Sequence, residues 1–387
     1  MKLDISRGKP SQDIVGLSND LLKRKIRKVS SEDGIDLRNY GSLDGLSEAK
    51  KFFSEILNLP KKNIFVGGNS SLFHMYNLVH ILWNFGLGGN KAWVKEKSVK
   101  FLCPVPGYDR HFSIMEDFGI KMVNIAMQED GPDMDKVEKL VKNDASIKGI
   151  WIVPLYSNPT GVVLSERKAK RLASLKTKAK DFRIFCDNAY GIHHIWKENK
   201  TPDMRKLCKA AETLDRLFIF FSTSKITFPG SGVATFYADD KNYDEIKKHI
   251  SMQTIGFDKI NQIRTIAFLR DLENTRRHMK KIADILRPKF DFAIDYLIKN
   301  LMNKGLLDIS IPKGGYFISV DLKNASAKKV IALAKKEGLI LTPAGSTYPY
   351  MNDSFDKNIR IAPSYPSLTE LKGAVKLFTN IVLKESK

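Results

Sequence analysis

Between residues 99 and 237 the chain repeats one pattern: a short run of β-branched and aromatic residues, then a longer amphipathic stretch. Strand-like runs are Val99–Cys103, Lys121–Ala126, Ile147–Val153, Phe182–Cys186, Leu217–Phe221 and Val233–Tyr237. Helix-like segments are Gly45–Leu57, Ser71–Phe85, Asp133–Val141, Ser165–Ala179 and Asp203–Leu214. Parallel strands need long crossovers, so this alternation predicts an α/β fold with a mostly parallel central sheet flanked by helices. Ile147-Lys148-Gly149-Ile150-Trp151-Ile152-Val153 is nearly continuous in apolar residues, as a strand covered on both faces requires.

After about residue 240 the texture changes. Tyr243 to about Asn303 reads as long helices, interrupted near Gly256 and Pro288. A run at 314–320, a helix Ala327–Glu337 and strands Gly338–Leu341 and Ile359–Ala362 come next. This predicts a smaller α+β domain. The expected division is 31–255 for the large domain, and 1–30 with 256–387 for the small one.

Composition narrows the class. At about 150 residues per domain, the length supplies two to three domains' worth of chain. Hydrophobic residues make up 43%, enough for a sizeable core. The 64 basic residues outnumber the 43 acidic ones, for a formal charge of +21. That excess is spread over doublets such as Lys50-Lys51, Lys247-Lys248 and Lys335-Lys336, mostly within helix-like segments. Nucleic-acid binding would gather it in a stripe with aromatics between. Three cysteines, Cys103, Cys186 and Cys208, read as buried thiols in a reducing compartment rather than a disulfide framework. No apolar run approaches the roughly 20 residues that span a bilayer. The first eight residues lack a signal peptide's apolar stretch. The expectation is a cytoplasmic protein with no membrane and no nucleic-acid partner.

In an open α/β sheet, ligands bind outside the carboxyl ends of the strands. The residues just past each strand are therefore informative. After Ile147–Val153 comes Tyr156-Ser157-Asn158-Pro159-Thr160-Gly161, and after Phe182–Cys186 comes Asp187-Asn188-Ala189-Tyr190. After Leu217–Phe221 comes Ser222-Thr223-Ser224-Lys225, and near the C-terminus stands Asn358-Ile359-Arg360-Ile361-Ala362-Pro363. Singly, each reads as a turn, a cap or an exposed lysine.

Together and in this order, the four resemble the fold-type I, pyridoxal-phosphate-dependent aminotransferases of class I and II, over nearly the whole chain. Arg7-Gly8-Lys9-Pro10, Arg38-Asn39-Tyr40-Gly41, Gln253-Thr254-Ile255-Gly256 and Arg360-Ile361-Ala362-Pro363-Ser364 resemble the divergent bacterial branch of aspartate aminotransferases, subgroup Ic. The resemblance implies pyridoxal 5'-phosphate as cofactor. Lys225 matches the lysine that holds it as a Schiff base and then moves a proton, which calls for a depressed amine pKa. Asp187 matches the carboxylate beside the pyridine nitrogen. Tyr190 and Asn158 match the partners of the ring's phenolic oxygen, and Tyr108 the aromatic stacked on the ring. Gly68, Asn69 and Ser70 precede a helix-like segment whose N-terminus suits a phosphate. Ser222 and Ser224 match further phosphate partners. Tyr40 resembles a tyrosine that reaches the phosphate from the other subunit of a homodimer. The arginine usual about eight residues after the lysine is missing: the run reads Lys225-Ile226-Thr227-Phe228-Pro229-Gly230-Ser231-Gly232-Val233.

Arg360 matches the arginine that grips the substrate α-carboxylate through a bidentate fork. Asn158, Gly8, Arg7 and Lys9 complete the expected substrate site. An acidic side chain needs a second cation, with Arg7, Lys9, Arg38 and Lys259 as candidates. The implied reaction moves an amino group between an amino acid, aspartate or glutamate, and a 2-oxo acid by a ping-pong mechanism. A carbon–sulfur lyase or decarboxylase on the same constellation, or a non-catalytic ligand-sensing relative, are the alternatives. About 45 residues precede the first strong helix, too few for the winged helix of the sensing relatives.

Overall fold

In the strand Ile147–Ile152 every residue is buried, and neighbouring strands show why. The computed structural model describes residues 3–386. Side chains alternate between two apolar layers: Ile150, Ile152, Ile184 and Cys186 face one, and Trp151, Phe185, Phe218 and Phe220 face the other. A period of two with both faces covered yields a continuous apolar run.

The sheet has eight strands, in the order Ile64–Val66, Ala234–Tyr237, Leu217–Ser222, Arg183–Asp187, Ile147–Ile152, Lys100–Val105, Lys121–Gln128 and Gly131–Pro132. The five from Leu217–Ser222 to Lys121–Gln128 pair in parallel. The pairings at the two ends are antiparallel. The sheet is therefore mostly parallel, as the alternation predicts, although Ala234–Tyr237 runs against its neighbours. One layer carries the helices Ser71–Asn84, Asp109–Asp117 and Asp240–Ser251, and the other carries Met134–Asn143 and Glu166–Ala173. The helix expected over Ser165–Ala179 ends at Ala173.

Downstream, Lys259–Leu269 and the 29-residue helix Leu272–Asn300 lead into a three-stranded antiparallel sheet of Leu307–Ser310, Ile318–Leu322 and Asn358–Ile361. Pro288 does not interrupt the long helix. A mid-helix proline costs about 3 kcal/mol. Here Leu286, Phe290, Ala293, Ile294 and Leu297 bury one continuous face, and that packing outweighs the missing hydrogen bond. The N-terminal strand Leu3–Asp4 pairs in parallel with Leu339–Ile340. No helix of the described residues is long and apolar enough to cross a membrane.

Candidate active site

From the strand Lys100–Val105 the chain moves outward to Lys121–Gln128, then returns to the other side at Ile147–Ile152. At such a switch point the outgoing loops diverge and leave a crevice at the carboxyl ends of the strands. Tyr108 comes after one of these strands and Asn158 after the other, and both line one cavity with His111 and Trp151. Asp187 ends the next strand and is 2% exposed. Lys225 lies just past the strand after that.

Asp187 is held from behind. His111 Nε2 lies 3.0 Å from Asp187 Oδ2 and donates to it. The imidazole stacks on Trp151 at 4.3 Å between centroids and 3° between planes, while Tyr108 meets it edge-on at 5.0 Å. Asp187 Oδ1 is buried with no partner. A buried acceptor left without a donor is costly, so this oxygen calls for a ligand N–H.

Lys225 is half-buried, and its Nζ stands 4.8 Å from the centre of the Tyr190 ring. Desolvation pushes its pKa below the ordinary lysine value, and the Asp187 charge offsets part of that. Burial, then Tyr108 and Asp187, hold the Tyr190 hydroxyl well above its ordinary value, so it stays protonated and able to donate. The Lys225 carbonyl accepts from Tyr316 Oη at 3.2 Å and from His193 Nε2 at 3.3 Å. Burial, then the Lys225 charge, push His193 down to about 3, so its ring is neutral. The next carbonyl, of Ile226, accepts from His278 at 2.8 Å.

The expected phosphate residues converge. Ser70 caps the helix Ser71–Asn84, its hydroxyl accepting from Leu72 N at 3.2 Å. Ser224 Oγ donates to the Asn69 carbonyl at 2.8 Å, and Ser222 Oγ lies 3.2 Å from Ser224 Oγ. Gly68 ties the helix loop to the sheet, its carbonyl accepting from Ala234 N at 3.0 Å. A Cβ on Gly232 would stand 2.7 Å from both Asn69 O and Ser224 Oγ, so only glycine lets the loops meet. Arg264 is the cation lining the neighbouring cavity with Gly68, Asn69 and Gly232, and its Nη2 donates to Leu21 O at 2.8 Å.

Arg360 is 8% exposed. Its Nη1 contacts Asp109 Oδ1 at 3.1 Å and Asn158 Oδ1 at 3.4 Å, and its guanidinium lies 4.7 Å over the Phe317 ring. Gly8 sits against that ring: a Cβ there would come 1.9 Å from Phe317 Cζ. Arg7 and Arg110 line a cavity of about 480 Å³ with Arg360 and Asp109. The other candidate cations lie elsewhere. Lys9 Nζ is 4.0 Å over the Tyr365 ring, Arg38 pairs with Asp36 at 2.9 Å, and Lys259 Nζ donates to the carbonyls of Asn39 and Gly41. That lysine braces the loop carrying Tyr40, which is 79% exposed.

Sequence reasoning did not find Arg110, His111, His193, Tyr316, Phe317 or Asp109. His111 had a faint signal, three residues after Tyr108 at the start of a helix. Pyridoxal phosphate fits what is present: an amine of lowered pKa, a buried carboxylate oxygen lacking a donor, and a helix N-terminus flanked by serines and closed by Gly232.

The aspartate amino-transferase family model matches residues 1–387. An aspartate aminotransferase of Corynebacterium glutamicum is 42% identical over 388 residues, covering 99% of this chain and 89% of its own length. The crystal structure of an aspartate transaminase from that organism superposes with a TM-score of 0.97 at 41% identity, covering 100% of this chain and 92% of the other. Thermus thermophilus LysN, an α-aminoadipate aminotransferase complexed with a phosphopyridoxyl-leucine, has a TM-score of 0.82 at 18% identity, covering 99% of this chain and 92% of its own. Such distant likeness shows the shared fold. The fold is that of the fold-type I, pyridoxal-phosphate-dependent aminotransferases. Within them, the chain belongs to the aspartate amino-transferase family, and it is an aminotransferase that uses pyridoxal phosphate.

Proposed function

We propose that this enzyme takes its amino group from aspartate or glutamate and passes it to a 2-oxo acid in two half-reactions that share one site. The observation that carries the reading is that Lys225, Asp187 and Asn158 gather past the carboxyl ends of the central strands, with Arg360 of the smaller sheet reaching Asn158 Oδ1 at 3.4 Å. The relative named aspartate aminotransferase, which matches 99% of the chain, supports the choice of amino acid.

The cofactor supplies an electron sink for the carbanion at the substrate Cα. Lys225 anchors it, and its amine of lowered pKa takes up and returns the proton. Asp187 Oδ1 would accept the ring N–H, with His111 fixing the carboxylate through Oδ2. Tyr190 and Asn158 would hold the phenolic oxygen, and Tyr108 would cover the ring. Asn69, Ser70, Ser222, Ser224 and the backbone from Gly68 would hold the phosphate. Arg360 grips the α-carboxylate. Arg7 or Arg110, on the same cavity, reads the side-chain carboxylate, whereas Lys9 faces Tyr365.

We further propose a homodimer in which exposed Tyr40 enters the partner's site, and a division into 31–255 and 1–30 with 256–387. The three cysteines, all free and buried, support a cytoplasmic setting. An amino-donor screen tests the reading. With aspartate or glutamate alone, cofactor absorbance converts to the amine form without ammonia release, and Lys225→Ala abolishes both turnover and the bound-cofactor absorbance. Ammonia or carbon dioxide release as the main outcome overturns it.

A further inference from the structure

We propose that Asp109 is an internal carboxylate that competes with the substrate for Arg360 and so determines which ligands the site admits. The proposal rests on the reading of Arg360 as the α-carboxylate residue.

The two partners are unequally held. Arg360 lies in the strand Asn358–Ile361, opposite Ser319, with its guanidinium against Phe317 and Asn158. Its side chain is 8% exposed. Asp109 is the first residue of the helix Asp109–Asp117, and its side chain is 34% exposed. When a second carboxylate arrives, Asp109 is the partner free to swing into water. Both side chains face the cavity that also carries Ser6, Arg7, Arg110 and Glu116. The ion pair therefore stands on the wall of the space an amino acid would enter.

A buried guanidinium without a counter-charge is strongly unfavourable. In the free enzyme Asp109 supplies that charge. A ligand displaces it only by bringing a carboxylate of its own. Asp109 takes only Nη1, and Nε is buried without a partner, so an amine lacking a carboxylate leaves the Nη1 pair intact while a carboxylate can complete the fork. Selectivity thus comes from an element that opposes the wrong ligand as well as one that attracts the right one.

Competition has a signature that mere orientation lacks: removing Asp109 destabilises the free enzyme but strengthens carboxylate binding. The cofactor-loaded enzyme is compared with Asp109→Asn, Asp109→Ser, Asp109→Glu and Arg360→Gln. Inhibition constants are measured for acetate and succinate, two unreactive carboxylates, together with the thermal midpoint in their absence. We expect Asp109→Asn and Asp109→Ser to tighten both carboxylates by about three- to tenfold, a modest effect because Asp109 is partly exposed. Both variants lower the thermal midpoint, and Asp109→Glu restores both properties. Unchanged or weaker carboxylate binding in both neutral variants, with Arg360→Gln weakened, overturns the competition while leaving the reading of Arg360 intact. Wild-type affinity in Arg360→Gln overturns that reading, and the proposal with it.

Discussion

His193 offers the most quantitative test, because burial beside Lys225 has displaced its titration far from that of a free imidazole. The ring is 2% exposed and is pushed down to about 3 from an ordinary value of 6.5. Between those values the unfolded chain binds a proton that the folded chain refuses, so stability falls as pH falls. From pH 7 to pH 5 the linkage amounts to about 2 kcal/mol, and over the whole window to about 5 kcal/mol. His193→Asn removes that contribution. Urea unfolding of the cofactor-loaded enzyme at pH 7 and pH 5 should show the variant losing about 2 kcal/mol less than the wild type. His74, pushed down to about 4 by burial, adds an acid loss of the same sign in both proteins and cancels from the comparison. Equal acid losses in variant and wild type would show that His193 titrates normally, and would refute the buried, neutral donor to the Lys225 carbonyl.

Two substitutions probe the supports behind the chemistry. Tyr316→Phe deletes the hydroxyl on the Lys225 carbonyl, worth about 1 kcal/mol of stability; it should lower kcat severalfold with KM held, and move the pH titration of cofactor absorbance, and an unmoved titration would reduce Tyr316 to packing alone. Gly8→Ala drives a methyl into Phe317, the ring under Arg360, and should raise KM for the amino donor by about tenfold, because small displacements of a clamp are costly; an unchanged KM would separate Gly8 from the substrate site.

The sequence by itself determined six of the eight strands of the sheet and the positions around its rim; the short end strands Ile64–Val66 and Gly131–Pro132 escaped it. Strand periodicity and apolar patterning are local properties, so the runs leading to Asn158, Asp187 and Lys225 were legible, and the carboxyl ends of parallel strands converge by topology. The helix start at Ser70 was legible for the same reason, since capping chemistry acts within a few residues. Only the tertiary structure decided the contacts that tune the site. His111 meets Asp187 across 76 residues of chain, Tyr316 meets Lys225 across 91, and Asp109 meets Arg360 across 251. No periodicity encodes such pairs, because each depends on how two separately formed elements pack. The same holds for Pro288, which local rules read as a break: the buried face of a long helix outweighed its local cost. Lys9 and Lys259 remained candidate cations in the sequence until packing turned one to Tyr365 and the other to backbone carbonyls. A charge can be read from a sequence, but its partner is set by the fold.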